Sequence, residues 1–336
     1  IEKYSHVENK KNPPSYLYWK RDLISQRSLG ILTGFLHGFF NRCLFISLLT
    51  IVAVSRIFLY TALSNQIFNI TGLSLNEYIF LTIAIFFSSL FHELGHSSAC
   101  RHFRVQHGPI GIGLYLYFPV FFADVTDAWR LPRMNRAIID FGGIYFQLLY
   151  ATLFLGIAPL LPENYAFHLV FLIDLLILTS LNPVFRWDGY WIFSDLAGIP
   201  NLRKRALEAG SYILRRIFLI ESKTRPEFFN FPVRIRYLIY SYSIISNLFF
   251  LFIWVNIVRF FPDLIKSYQQ FLISLLETTV SGGISANELF GRFFNNLRRF
   301  LFHTFILLMI GFSLLRMLRL LRAKFLRLLG PQIKKN

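Results

Sequence analysis

Six stretches of the chain stay apolar for about the 20 residues that a helical membrane span requires. They lie at about 43–63, 78–98, 137–160, 165–183, 237–258 and 300–316. Between the second and third stretches the pattern changes. The run from Gly108 to Phe122 is interrupted by Pro109, Gly111, Gly113 and Pro119 and is rich in aromatic and β-branched side chains. It predicts two short strands or a re-entrant hairpin rather than a helix. Beyond the fourth stretch, Asn201 to Ile220 spaces apolar and basic positions as an amphipathic helix would, which suits a helix lying on an anionic lipid surface. The expected fold class is an all-α polytopic membrane protein of about six transmembrane helices, with a short β-hairpin or re-entrant loop between the second and third.

Charge adds an orientation to this picture. The 336 residues are 54% hydrophobic and 16% charged, with a formal net charge of +17. The basic residues fall between apolar stretches, so topology accounts for them better than nucleic-acid binding does. Lys3, Lys10, Lys11, Lys20, Arg21 and Arg27 precede the first span, and the segment from 64 to 77 has no Lys or Arg. Arg101, Arg104, Arg130, Arg133 and Arg136 separate spans two and three, and the next loop, around Glu163, again lacks basic residues. The alternation predicts cytoplasmic N- and C-termini. The polar, basic start does not read as a cleavable signal sequence. Cys43 and Cys100 have no metal-type spacing.

Inside the second span stands His92-Glu93-Leu94-Gly95-His96. Histidines four apart on a helix share a face one turn apart, so both imidazoles can reach one metal ion. Glu93 is placed to act on a water at that metal rather than on the metal itself. Two His and a Glu in an apolar span carry a desolvation cost unless they are used. A third ligand is needed, and two residues compete for the place. His102 has the spacing of the H-E-x-x-H-x-x-G-x-x-H pattern, but Ala99 stands where that pattern has glycine. A helix continuing through Ala99 would turn His102 roughly 100° away from the pair. The other reading of His102, between Arg101 and Arg104, is an interfacial polar residue. The second candidate, Asp188, follows the fourth span in Leu181-Asn182-Pro183-Val184-Phe185-Arg186-Trp187-Asp188-Gly189-Tyr190.

With these two motifs the chain resembles the site-2 protease family of intramembrane zinc metalloproteases over about residues 76–195. That family carries HExxH on one core helix and an Asn-Pro segment ending in Asp-Gly on another. The resemblance implies one zinc ion per chain, held by His92, His96 and Asp188, with Glu93 as the catalytic base. It also implies a hairpin beside the metal and a membrane-embedded peptide or protein as substrate. There are departures. Ser180 occupies the place, eight residues before Asp188, where the family has Asn, and this chain's own Asn182 is six away. On the intervening helix the family's Gly-Pro and later Asn are replaced by Gly142-Gly143 and Gln147. Asn182 and Gln147 are the candidates for orienting substrate. The Arg-Trp-Asp-Gly-Tyr context is closest to the subgroup of peptide zinc metalloproteases that accompany bacterial peptide modification and export.

The expected organisation is a basic cytoplasmic segment with an interfacial helix (1–42), a membrane-embedded metalloprotease core (43–195), and a cytoplasmic amphipathic helix followed by two further spans and a basic tail (196–336). The expected location is the bacterial cytoplasmic membrane. Two rival functions remain at this stage: a non-enzymatic scaffold or export component with a structural zinc site, and a membrane oxygenase or desaturase with a metal pair. The latter would need histidine boxes, whereas His6, His37, His107, His168 and His303 are scattered. Among the other acids, Asp174 lies in mid-span and is expected to pair with Arg56 or to line a water path. Asp124, Asp127 and Asp140 read as solvated or paired with Arg130 and Arg133, and Asp195 as a turn or cap residue.

Overall fold

The computed structural model describes residues 17–63, 67, 73–115, 118–217, 219, 225–280 and 304. Among these, helices dominate and one small sheet is present. In chain order the elements are β1 (Leu17–Ile24), α1 (Gln26–Leu36), α2 (Arg42–Ala62), α3 (Leu75–His102), β2 (Ile110–Tyr115), β3 (Phe118–Ala123), α4 (Arg133–Gly156), α5 (Tyr165–Ser180), α6 (Asp188–Ala197), α7 (Leu202–Ile217) and α8 (Val233–Val280). The chain divides into two compact units, Ile1–Ile244 and Ile245–Asn336. In the second unit, the described helix runs from Ile245 to Val280 with Pro262 inside it.

Among the described residues, four helices are long and apolar enough to cross a membrane: α2, α3, α4 and the Val233–Asp263 part of α8. This is the signature of an integral membrane protein. Their outward faces are apolar, with Ile57 66% and Phe58 61% exposed on α2, as lipid-facing side chains would be. The stretch expected as a fourth span, 165–183, forms a helix of 16 residues, about 24 Å long and short of the ~30 Å hydrocarbon core. It stops at Ser180 because Pro183 disfavours helical geometry at the residue before it. The Asn182 side-chain oxygen also accepts the Val184 N–H at 2.9 Å, drawing the chain into a turn. The sixth expected span, 300–316, lies outside the described residues apart from Thr304.

The hairpin between the second and third spans is present as β2 and β3, paired antiparallel from Ile110↔Ala123 to Tyr115↔Phe118. A third strand joins it. β1 pairs antiparallel with β2, giving the order β1-β2-β3. The polar N-terminal segment thus contributes a sheet strand before its helix, which its charge pattern did not announce. β3 is left as an edge strand, and Pro119 is tolerated there because an edge position need not donate on both sides.

The core of the first unit is built on α2, α3, α4 and α5, with Leu59, Leu81, Ala84, Ile144, Leu169 and Ile173 buried together. Ser74 caps α3, accepting the Glu77 N–H at 3.2 Å. Glu77 in turn meets His168 of α5 at 2.6 Å. Arg56 of α2 donates to Asp174 of α5 at 2.7 Å, with Tyr60 donating to the same oxygen at 2.9 Å. The expected pairing of these intramembrane charges is therefore found, and it ties the middle of α2 to the middle of α5. A second cluster, with Tyr190, Leu202, Ala206, Phe228 and Ile239, packs α6, α7 and the start of α8 together.

Candidate metal centre

Two helices and a turn assemble the centre. α3 carries His92, Glu93 and His96 on one side, and it crosses α4 where neither helix has a side chain. A Cβ at Gly95 would collide with the Gly142 carbonyl oxygen. A Cβ at Gly142 would lie 2.9 Å from the Gly95 oxygen. Glycine at both positions lets the backbones approach closely, as small residues do between membrane helices. The third component arrives from the start of α6. Asp188 is its first residue, a position where a carboxylate is favoured by the helix dipole. Asp195, about two turns further along α6, receives the Arg136 guanidinium of α4 at 2.5 to 3.0 Å. This ion pair anchors α6 against α4 and so sets where Asp188 projects. Asp195 is thus an inter-helix partner rather than the turn or cap residue expected from its local sequence.

His92 Nε2 lies 2.9 Å from Asp188 Oδ2, His96 Nε2 lies 3.6 Å from Asp188 Oδ1, and the two Nε2 atoms are 3.1 Å apart. One ligand atom from each of the three residues falls within 4.8 Å of the others, a group that could hold a metal ion. The tautomers follow from what lies behind each ring. His92 Nδ1 is 3.0 Å from Gln147 Oε1, and His96 Nδ1 is 2.7 Å from the Ile139 carbonyl oxygen. A carbonyl oxygen only accepts, so each Nδ1 carries its hydrogen and each Nε2 presents a lone pair. Two lone pairs and a carboxylate then face one another, a donor set that a divalent cation neutralises and that suits zinc. Such acceptors behind ligating imidazoles fix both ring orientation and tautomer.

The helix face opposite this group is kept empty. A Cβ at Gly143 would lie 2.5 Å from His96 Nε2 and 2.6 Å from His92 Nε2. Glycine there lets α4 pass close to the two Nε2 atoms with no side chain between, so the space beside them stays clear.

Glu93 sits beside the three donors without joining them, and it borders two cavities near the end of β3. They meet at this point. One, of about 540 Å³, is bordered by Phe86, Val120, Phe121, Leu176 and Trp187, together with His92 and Gln147. The other, of about 400 Å³, is bordered by polar groups that include Asp124, Thr126, Arg136, Asp140 and Asp195. Glu93 and Asp188 line both.

The remaining candidates fall as follows. His102 is the last residue of an unbroken α3, with its ring against Phe40 and Phe103, and it does not join the group formed by His92, His96 and Asp188. Gln147 is brought to the centre, where it holds His92 and reaches Ser88 Oγ at 3.4 Å. Asn182 is not among the residues bordering either cavity, and its oxygen is engaged in the turn with Val184. Ser180 is there instead, donating to Asp188 Oδ2 at 2.9 Å. Its position eight residues before Asp188 was visible in the sequence. Its function as a hydrogen-bond donor to the carboxylate required knowing that the chain folds back between them.

No family model matches the chain, and no solved structure matches it. A curated protein of Bacillus subtilis (strain 168), named "Putative peptide zinc metalloprotease protein YydH", is 25% identical over 117 residues. The matched stretch covers 34% of this chain and 46% of that protein, so the chain aligns with about half the length of its relative. The similarity supports a zinc metalloprotease.

Proposed function

We propose that this protein is an intramembrane zinc endopeptidase of the site-2 protease type, cutting a membrane-embedded or membrane-associated peptide. The observation that carries the reading is the convergence of His92 Nε2, His96 Nε2 and Asp188, with Glu93 adjacent at the meeting of two cavities. His92, His96 and Asp188 would hold one zinc ion. That ion supplies Lewis acidity, acidifying water and polarising the peptide carbonyl. Glu93 takes the proton of the attacking water and returns it to the leaving nitrogen. Gln147 and the Ile139 carbonyl act as positioning groups for the two imidazoles. A peptide entering from the apolar cavity would have its scissile bond at Glu93 and continue into the polar one.

The name of the Bacillus relative, a peptide zinc metalloprotease, supports a peptide as the substrate. The reading extends to bacterial peptide maturation or export in the cytoplasmic membrane, with the cytoplasmic termini that the charge alternation favours. The test uses full-length protein purified in detergent, with zinc measured by elemental analysis and cleavage followed on membrane-tethered peptides from the same genomic neighbourhood. The parent should hold one zinc per chain and cut. Glu93→Gln should keep the zinc and lose activity by about 10²–10⁴-fold, the range for a general base. Asp188→Asn should lose both. Glu93→Gln with function intact would instead support a scaffold with a structural metal, and two irons per chain would support the oxygenase reading.

A further inference from the structure

The polar cavity of about 400 Å³ carries more negative charge than the proposed chemistry uses. Its border includes Glu93, Asp124, Asp140, Asp188 and Asp195, and the one guanidinium among its lining residues is Arg136. Arg136 is already committed to Asp195 through both its Nε and a terminal nitrogen. Glu93 and Asp188 are balanced by the divalent ion that His92, His96 and Asp188 would hold. Asp124 and Asp140 remain, two acids with no hydrogen-bonded or ion-paired cation among the described residues, although the Arg136 guanidinium lies near enough to Asp140 to act on it through space. Asp124 is exposed at the mouth, and its carboxylate accepts the Thr126 N–H at 3.0 Å and the Thr126 hydroxyl at 2.5 Å. Asp140 is deeper. It lies three residues before Gly143 on α4, hence on the face that borders the metal centre, and it makes no hydrogen bond or ion pair with any described residue. An unpaired carboxylate on a membrane-spanning helix is costly unless something neutralises it.

The walls also suit a cation. Trp129 and Trp191 meet edge to face at 6.1 Å between ring centres, and both border the cavity. The Arg136 guanidinium lies over the Trp129 ring, 5.2 Å from its centre. This aromatic wall therefore already accepts one cation, and the Trp191 side offers an apolar surface for the stem of a second. Because Glu93, Asp188 and Phe121 border both cavities, a side chain seated here would belong to the same peptide whose bond lies at Glu93.

We propose that this cavity is a specificity pocket for a cationic side chain, lysine or arginine, of the substrate close to the scissile bond, with Asp140 as the residue that pairs with it and Asp124 contributing at the mouth. The pocket assignment rests on the peptidase reading of the centre, so binding and cleavage are measured separately.

Binding uses fluorescein-labelled peptides, anisotropy in detergent and full-length protein carrying Glu93→Gln to prevent turnover. Arginine is placed at each of several positions flanking the candidate bond and compared with citrulline, its neutral near-isostere. At one position arginine should bind about tenfold more tightly than citrulline, the gain expected from a charge-assisted contact in a partly buried site. Adding Asp140→Asn should bring that ratio close to one. Equal affinities at every position would overturn the pocket, as would a ratio that Asp140→Asn leaves unchanged. Loss of both peptides in parallel on Asp140→Asn would also overturn it, marking Asp140 as structural. Cleavage by the parent separates the two readings. Arginine preferred in binding with no peptide cut leaves the pocket standing and sinks the peptidase, whereas cleavage indifferent to charge sinks the pocket and leaves the peptidase.

Discussion

Gly143→Ala should abolish tight zinc binding without unfolding the helix that carries it. A methyl group there would be 2.5 Å from His96 Nε2, 2.6 Å from His92 Nε2 and 2.7 Å from His92 Cδ2. Real Cβ contacts essentially never fall below 3.0 Å, so both imidazoles must retreat by about half an ångström or more to relieve the overlap. Metal–ligand distances tolerate only about 0.2 Å. The rings cannot retreat freely, because each is held from behind by Gln147 or the Ile139 carbonyl. Loss of a single supporting contact costs about 10–100-fold in affinity. Displacing two ligands together should therefore cost at least about 100-fold, or about 2.8 kcal/mol. Alanine is a better helix former than glycine by about 1 kcal/mol, so the helix itself has no reason to fail. The assay is competition for zinc against a chelator of known affinity, with circular dichroism confirming helix content. Gly156→Ala on the same helix, where a Cβ would meet nothing within 4 Å, is the control. Wild-type zinc affinity in Gly143→Ala would refute the assignment of the space beside the two Nε2 atoms to a metal ion.

Three further perturbations follow from the same geometry. Gln147→Leu removes the acceptor behind His92 and should lower zinc affinity about 10–100-fold in the chelator competition, while Gln147→Glu retains an acceptor and should recover most of it. Arg56→Leu strands Asp174 in the membrane core with only Tyr60 as partner and should cost about 3–5 kcal/mol in detergent unfolding, with the Arg56→Leu/Asp174→Leu double variant regaining most of the loss. Glu227 is held below the usual carboxylate range by its hydrogen bond from Arg205, then by Lys204. A depressed folded value means the tie between Glu227 and α7 is present above the ordinary carboxylate pKa of about 4.3 and lost as pH falls through the folded value. Hydrogen exchange in α7 should quicken on acidification below about pH 4 and not between pH 6 and 8.

Local patterns were legible wherever the physics is local. The apolar runs behind α2, α3, α4 and the Val233–Asp263 stretch needed only residue composition and length. The hairpin at Gly108 to Phe122 was readable from its Gly and Pro interruptions, and the HELGH spacing placed two imidazoles on one helix face. Charge inside an apolar span predicted a partner, and Arg56 and Asp174 were the two available. What failed needed distance. β1 carries Lys20, Arg21 and Asp22 in its middle, and nothing in Leu17–Ile24 reveals that the distant strand β2 will pair with it. Asp195 reads as a turn residue until Arg136, 59 positions earlier, is set against it. Asn182 carries the side chain expected at a binding site, yet its proximity to Val184 makes a turn the easier use, and Ser180 faces the carboxylate instead.

The sequence by itself determined that this is a membrane-spanning chain with a His-Glu-His group in a span, because desolvation and helical period are set by neighbours along the chain. Only the tertiary structure decided how that group is completed. Paired glycines at the crossing of α3 and α4 bring the two backbones into contact, and the Arg136–Asp195 pair sets α6 against α4. Together they deliver Asp188 to the two imidazoles and leave Glu93 between an apolar and an acidic cavity. Those outcomes depend on packing between segments nearly a hundred residues apart, where side-chain volume and register rather than local preference settle which atoms meet.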